Sequence, residues 1–366
     1  MKRWSTRLTA FSAVALFGAS SAAFAVDGDS LRNADKDPNN WLTYHGSYKA
    51  WHYSDLSQIN AANVKNMRVA WLHTPSASKR GIQSFPLAVD GTLFYSSASG
   101  QVWALDGATG EVKWKHAAKL DQERSEGTFF NPYNRGLAVG YGNVYTATTD
   151  GRMIALDMNT GKVVWDKMIL TVEGGNKGFT GAPLLVKDMV LVGANGGELS
   201  GCCGPIFAVD AKTGEVRWQF DTIGGDERSR ASWGNDSWKT GGGGGWMTGT
   251  YDEATNSVWW GTANPAPDFD WGGDDWKTSG ARPGDNLYTS SVIAIDVTSG
   301  AIKGHHQYHW NDAWDWDEVS APLLIDYPRD GKDVKGLVHA GRNGYLWWLE
   351  RSKGDINFVG AESYVE

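Results

Sequence analysis

Hydrophobic and polar positions along this chain alternate in short runs. The segments PLAVDGTLFYSS (86–97), LAVGYGNVYTAT (137–148) and PLLVKDMVLVGA (183–194) each place apolar residues on one side of an extended backbone, around a short break. A period of two marks strands with one face covered by a core. Each run is followed by a second pattern, seen in QVWALDGATGEVKW (101–114), RMIALDMNTGKVVW (152–165) and PIFAVDAKTGEVRW (205–218). It consists of an apolar strand, Asp, two variable residues, Thr-Gly, and a strand ending in Trp. Weaker copies lie at SVIAIDVTSGAIKG (291–304) and GYLWWLERSKGDINF (344–358). Asp-x-x-Thr-Gly supplies an Asx-type turn with Gly where a positive φ is required, so every copy predicts a β-hairpin.

The matching turn positions are Asp106, Asp157, Asp210, Asp296 and Glu350, at intervals of 51, 53, 86 and 54 residues. About 50 residues is the length of one four-stranded propeller blade. The expected fold is therefore an all-β β-propeller, with about five blade repeats in this chain and about eight in the complete protein, the remainder following residue 366. The recurrent Trp is expected to pack between blades, where a large flat side chain suits sheet-on-sheet contact. The long interval holds an insertion of about 30 residues, at 225–245 and 268–283, dense in Gly, Trp and Asp.

Composition narrows the class. With 46 Gly among 366 residues, roughly twice the usual share of about 7%, and 41% hydrophobic residues, the chain is turn-rich and has a sizeable core. A net charge of -8 without any Lys/Arg run excludes charge-driven binding to nucleic acid or anionic lipid. At the N-terminus, Lys2, Arg3 and Arg7 precede an apolar stretch (9–19) that closes on Ala23-Phe24-Ala25. This order reads as a secretory signal peptide over 1–25, so that 26–366 is the exported part and forms the N-terminal portion of the propeller domain.

Three loops carry oxygen donors. GANGGELSG (193–201), GTANPAP (261–267) and RPGDN (282–286) present Glu198, Asn264 and Asp285 on Gly/Pro-shaped turns. Two carboxylates and an amide oxygen at one point would suit a hard cation such as calcium better than zinc. His305, His306 and His309 have a spacing compatible with zinc but no accompanying ligand cluster, and read as loop or surface residues. Asp312, Asp315 and Asp317 read as turn and cap chemistry.

At these motifs the chain resembles the quinoprotein alcohol dehydrogenases, the methanol and ethanol dehydrogenase family that uses pyrroloquinoline quinone (PQQ). The resemblance runs from NWLTYHGSYKAWHYSDLSQIN (40–60) to GRNGYLWWLERSKG (341–354), essentially the whole exported chain. It implies Glu198 and Asn264 as calcium ligands, Asp285 near the metal as catalytic base, and Arg342 at the quinone carbonyls. It also implies Trp246, in GGGGGWMTG (241–249), as the floor on which the flat cofactor stacks. Arg135, Thr180 and Gln83 fall where the family contacts the cofactor's carboxylates and edges, although many relatives carry Glu at the position of Gln83. Lanthanide-using relatives tend to have a second acid two residues after the base, where this chain has Leu287, so the resemblance favours calcium mildly and leaves a lanthanide as the alternative.

Cys202 and Cys203, the only cysteines, depart from the family, which often has an adjacent pair just before the Asn134-Arg135-Gly136 segment. Adjacency in an exported protein fits a vicinal disulfide near the quinone, and two small buried thiols are the alternative. No Cys-x-x-Cys-His haem motif occurs in these residues, so the resemblance implies, for a periplasmic enzyme that oxidises a small alcohol, either a separate cytochrome c as electron acceptor or a haem domain in sequence following residue 366. The competing reading is a non-catalytic exported propeller scaffold that binds proteins through its loops. The blade repeats fit it equally well, but it leaves the register of Glu198, Trp246, Asn264, Asp285 and Arg342 unexplained.

Overall fold

The computed structural model describes residues 26–75, 81–97, 100–126, 133–171, 178–195, 204–267, 282–352 and 355–366. Residues 1–25, expected from the sequence to be a leader, together with Glu198, Cys202, Cys203 and residues 268–281 of the insertion, lie outside them. Five four-stranded antiparallel sheets, each wound in chain order, follow one another among the described residues. The first holds β1 (Leu87–Val89), β2 (Thr92–Ser97), β3 (Gln101–Asp106) and β4 (Val112–Ala117). The second holds β5 (Ala138–Gly140), β6 (Asn143–Ala147), β7 (Arg152–Asp157) and β8 (Val163–Met168). The third holds β9 (Leu184–Val186), β10 (Met189–Gly193), β11 (Ile206–Asp210) and β12 (Val216–Phe220). The fourth holds β13 (Thr250–Asp252), β14 (Ser257–Gly261), β15 (Ser291–Asp296) and β16 (Ile302–Gln307), and the fifth β17 (Leu323–Arg329), β18 (Lys332–Ala340), β19 (Tyr345–Ser352) and β20 (Asp355–Ser363). These are the blades of a β-propeller.

The Asp-x-x-Thr-Gly segments form the turn between the last two strands of a sheet. In the first four sheets the Asp carboxylate accepts the backbone N–H three residues on, from Thr109, Thr160, Thr213 and Ser299, at 2.8 to 3.0 Å. The turn glycines Gly110, Gly161, Gly214 and Gly300 all have φ between +69° and +75°. The register slips at the same place in each ladder, after Ala104, Ala155, Ala208 and Ala294. The fifth copy differs. Glu350 pairs with Asn357 inside the β19–β20 ladder, which continues to Ser352 opposite Asp355. The hydroxyl-bearing partner that closes the other turns is absent three residues after Glu350, where the sequence has Lys353, so the strand runs on past it.

The strand-end tryptophans bond one sheet to the next. Trp114 Nε1 donates to the carbonyl of Met158 at 2.9 Å, Trp165 to Ala211 at 3.1 Å and Trp218 to Val297 at 2.9 Å. Each acceptor is the residue just after the turn Asp of the following sheet. Trp71, ahead of the first sheet, donates in the same way to Gly107 at 3.1 Å. The turn glycine then lies flat on that indole. A Cβ built on Gly161 would stand 2.5 Å from the Trp114 ring, and one on Gly214 or Gly300 2.8 Å from Trp165 or Trp218. The indole thus buries its area and satisfies its one donor in a single contact.

At the equivalent register in the fourth sheet, opposite Ala294, the chain has Gly304, and this connection to the fifth sheet is missing. Alternate residues of the fourth sheet instead serve two cores. Val258, Trp260, Ile293 and Ile295 join the large core of the first four sheets, while Trp259, Val292 and Ala294 join Leu324, Leu337 and Leu349 of the fifth. Arg351 ties the two sheets by bonding Asp252 at 3.2 Å and Asp326 at 2.9 Å.

Gly142 and Gly161 sit in the same sheet at φ +76° and +69°, but a Cβ on Gly142 meets nothing within 4 Å. Gly142→Ala should cost only the left-handed backbone penalty of about 1–2 kcal/mol. Gly161→Ala should cost measurably more in denaturant unfolding, the excess being the loss of the Trp114 contact. Equal costs would show that the indole contact contributes nothing.

Candidate functional site

The glycine run 241–245 leaves the insertion and enters the fourth sheet beside the loop that follows β14. Gly243 N donates to Asn264 O and Ala263 N to Gly244 O, both at 2.9 Å, with a bridge between Gly242 and Pro265. A Cβ on Gly242 would lie 2.6 Å from Asn264 O, and one on Gly193 only 1.8 Å from Gly245 O. Only glycine permits this approach, and it brings Asn264 and Trp246, 18 residues apart, into one site.

A buried carboxylate joins their two loops. Asp317 Oδ1 accepts the backbone N–H of Asn264 at 2.9 Å, and its Oδ2 accepts the indole Nε1–H of Trp246 at 2.9 Å. Burial pushes the Asp317 carboxyl up to about 6, against the opposing pull of the Asn264 N–H, the Arg342 charge and the Trp246 N–H. Asn264 itself is fully buried.

Arg135 lies with its guanidinium 4.6 Å from the centre of the Trp246 ring and 5.5 Å from that of Tyr133. Its backbone N–H and Nη1 both reach the carbonyl of the buried Thr180, at 3.0 and 3.3 Å. Among the described residues no carboxylate pairs with it. Burial pulls this guanidinium below its ordinary value, with Tyr44 and Tyr133 opposing. The Arg135 carbonyl accepts from Phe85 N at 3.0 Å, which puts Gln83 two residues away, on an exposed stretch.

Asp285 is exposed on a turn that the insertion clamps from beneath. Trp233, fully buried, and Ser229 both donate to the Leu287 carbonyl, while Ser232 receives Leu287 N on its hydroxyl and Asn286 N on its carbonyl. A Cβ on Gly284 would sit 2.2 Å from Ser232 O, so the turn can seat here only with glycine. Buried Arg282 fixes the other side through Asn286 and Asn311 at 3.1 Å, Pro267 O at 3.2 Å, and Asp312 O. The Asp285 carbonyl accepts from Gln307 and Asn311, leaving its carboxylate unbonded among the described residues.

Arg342, also exposed, donates from Nη1 to Asp315 O at 2.7 Å. Its backbone N–H is held by Glu318, whose carboxylate oxygens lie 3.0 and 3.3 Å away. Glu318 is 1% exposed and also meets His309 Nε2 at 3.1 Å and His339 Nε2 at 2.6 Å. Burial alone would raise its carboxyl, but the hydrogen bonds from His309 and His339 outweigh that and bring it below the ordinary glutamate range. Asp317 and Glu318 are consecutive residues of the segment joining the fourth and fifth sheets. One holds Asn264 and Trp246, and the other holds Arg342.

Seven of the sequence-predicted residues are therefore described. Arg135, Thr180, Trp246 and Asn264 share one connected group. Arg342 joins it through 315–318, Asp285 stands on a separate clamped turn, and Gln83 lies at the edge. Glu198, Cys202 and Cys203 fall outside the described residues. Among those described, no set of three or more His, Cys, Asp or Glu side chains is grouped to hold a metal ion. Asp317, expected among turn and cap residues, belongs to the site instead, and the expected role falls to Asp312, which accepts from Trp314 and Trp316 N. Arg282 and Glu318 are not singled out by the sequence. Arg282 stands inside RPGDN, where Asp285 draws the attention, and the only local signal of Glu318 is the density of charge in a Trp-rich segment whose contacts reach across as many as 71 residues.

Residues 41–359 match the family described as PQQ: Glucose/ethanol/alcohol dehydrogenase, beta-propeller domain. The chain belongs to this family. It is 36% identical to the quinohemoprotein alcohol dehydrogenase of Comamonas testosteroni over 95% of its own length and 49% of that protein. The crystal structure of that enzyme superposes with a TM-score of 0.85, covering 93% of this chain and 51% of the other. A europium-containing methanol dehydrogenase superposes at 0.83 with 32% identity, over 92% and 60% of the two chains. The chain thus spans about half the length of the curated relatives it matches.

The residues present fit the cofactor of the PQQ dehydrogenases. A flat anionic quinone needs an aromatic face and uncompensated cations. Trp246 offers a partly open indole, and Arg135 is a largely buried cation whose described partners are two aromatic rings and a carbonyl. Asn264 is an oxygen donor of the kind a hard cation takes, and Glu198, outside the described residues, is another by its chemistry.

Glu318→Gln should lower stability at pH 7 by about 1–3 kcal/mol, since an amide cannot satisfy His309, His339 and the Arg342 N–H together. A carboxyl held low in the fold contributes stability above the ordinary glutamate pKa and loses it as pH falls through the folded value. The gap in denaturant midpoint between wild type and variant should therefore shrink below about pH 4.5, the usual glutamate value. A gap that stays constant with pH would remove Glu318 as the ionised anchor.

Proposed function

We propose that this protein is a periplasmic PQQ-dependent alcohol dehydrogenase that uses calcium, oxidises a small alcohol to an aldehyde or ketone, and passes the electrons to a cytochrome c. The observation that carries this reading is the Arg135 guanidinium, without a described counter-charge, against the face of Trp246. Family membership and the leader at 1–25 support the activity class and the compartment. The chemistry that PQQ supplies when bound is two-electron acceptance from the alcohol carbon, with a hard cation polarising it.

The chain's own residues do the rest. Trp246 and Arg135 hold the flat face and negative edge of the cofactor, with Thr180 and Gln83 at its margin. Asn264 and Glu198 ligate the cation. Arg342, steered by Asp315 and Glu318, faces the quinone carbonyls. Asp285, on the turn stiffened by Gly284, Asn286 and Trp233, receives the hydroxyl proton of the alcohol. Cys202 and Cys203 come shortly before Ile206, the first residue of β11. A vicinal disulfide between them would stiffen the loop that brings in Glu198.

Asp285→Asn should lower kcat by roughly 10²–10⁴-fold, the usual contribution of a positioned general base, while PQQ remains bound. Near-wild-type turnover with a dye acceptor at saturating PQQ and calcium would remove the catalytic role. Glu198→Ala should lose metal and PQQ together, measured by elemental analysis and absorbance. Full PQQ occupancy in that variant would separate the metal from the cofactor.

A further inference from the structure

In each of the first four sheets the last strand has one residue that bulges out of the ladder, just before the indole position: Lys113, Val164, Arg217 and Lys303. Three of these are cations, and each pairs with the turn Asp of its own sheet. Lys113 Nζ lies 3.6 Å from Asp106 and 2.7 Å from Thr92 Oγ1, Arg217 Nε 3.1 Å from Asp210, and Lys303 Nζ 3.7 Å from Asp296. The second sheet breaks the series. There Asp157 Oδ1 accepts from Thr160 N and Oγ1 at 2.8 and 2.7 Å, and no cation among the described residues pairs with its carboxylate.

Val164 is too short to fill the space that the long side chains take in the sister sheets, and a hollow of about 480 Å³ is left between the second and third sheets. Its walls suit a basic side chain. Val164, Tyr141 and the fully buried Tyr145 offer apolar surface to a methylene stem. Asn143 stands opposite Asp157 in the ladder as Thr92 stands opposite Asp106, and its Nδ2 donates to Tyr145 Oη at 3.3 Å. The Asn143 amide oxygen and the Asp157 carboxylate thus take the places of the two groups that hold Lys113. On the far wall Asp188 and Asp210 share Arg217, and Lys212 is exposed. The charge left for a guest is that of Asp157.

From this comparison of sister sheets we infer that the hollow is a socket for a basic side chain, Lys or Arg, presented by a partner protein. Its volume exceeds one side chain and falls in the range of ligand-binding clefts, which leaves room for the backbone that carries the guest. The net charge of -8 favours a basic partner. The hollow is formed by turns at the strand ends opposite the loops of the candidate site, and the inference rests on none of the assignments made there.

The test uses the full-length protein and a probe peptide, acetyl-Gly-Lys-Gly-amide, with the norleucine peptide as its uncharged counterpart and n-butylammonium as the free amine. Binding is read by chemical-shift titration, and unfolding midpoints check the fold of each variant. The Lys peptide should bind wild type and Val164→Thr alike, because threonine leaves the hollow open. Val164→Lys fills the hollow from within, as Lys113 does in the first sheet, and should lower the affinity about tenfold or more, the equivalent of one hydrogen bond to a charged group. Asp157→Asn keeps the turn acceptor and removes the charge, and should lower it to a similar degree. The norleucine peptide and n-butylammonium should each bind more weakly than the Lys peptide by about the same factor. If Val164→Lys does not yield folded protein, Asp157→Asn carries the expectation.

No binding of the Lys peptide to wild type overturns the socket. So does an affinity that survives Val164→Lys or Asp157→Asn, since the peptide would then sit elsewhere on the acidic surface. Equal binding of the norleucine peptide would show that charge has no part in it, and binding of n-butylammonium as tight as that of the Lys peptide would replace the partner protein by a small amine.

Discussion

Sheets that share a core must also be held in register with one another, and across the first four this chain does so with one repeated contact: an indole laid on the next sheet's turn, its N–H donated to that turn's carbonyl. Trp71, Trp114, Trp165 and Trp218 each do this. The contact depends on a glycine at positive φ beneath the ring, and the turn that provides it depends on an Asp side chain replacing a backbone acceptor. Because the same few residues set the turn, the bulge and the contact to the neighbour, a repeat of about 50 residues is enough to propagate the architecture from sheet to sheet. The site is built in the loops that this regular frame presents.

That dependence explains what can be read from sequence. Strand alternation, the turn and the indole are all encoded within about 14 residues, so four hairpins, and the packing role of the tryptophans that end three of them, are visible in the pattern. Glu350 misleads because it occupies the Asp position without the Thr or Ser that closes the turn, and β19 continues through it.

The site is legible only where its chemistry sits in a short motif. Asn264 and Asp285 announce themselves in GTANPAP and RPGDN, and Trp246 follows a five-glycine run whose need is steric: the backbone passes so close to the 263–266 loop that no Cβ fits at Gly242. Asp317 and Glu318 have no such context. An aspartate that bonds the next turn, as Asp312 does, looks the same in sequence as one that reaches Trp246 across 71 residues. Both are buried, at 4% and 8% exposure, and only their partners separate them: Asp312 accepts from the N–H groups of Trp314 and Trp316, while Asp317 meets Asn264 and Trp246 where the fourth and fifth sheets come together. Arg282 stands in RPGDN beside the more conspicuous Asp285, yet its guanidinium is what seats the turn.

Gly304 stands where the three preceding sheets carry the indole, so the junction between the fourth and fifth sheets has its own small core and the Arg351 ion pairs in place of that contact. Asp317 and Glu318 lie in the segment crossing this junction, and Arg342 stands beyond it. The candidate site is therefore built across a fault line. Stability in such molecules is distributed unevenly, with local openings following the weaker contacts. Parting of this seam would pull Arg342 and the two carboxylates away from Trp246 while the first four sheets kept their shared core. A ligand bridging the seam would act as its missing rivet, tying its own retention to the mechanical integrity of the frame.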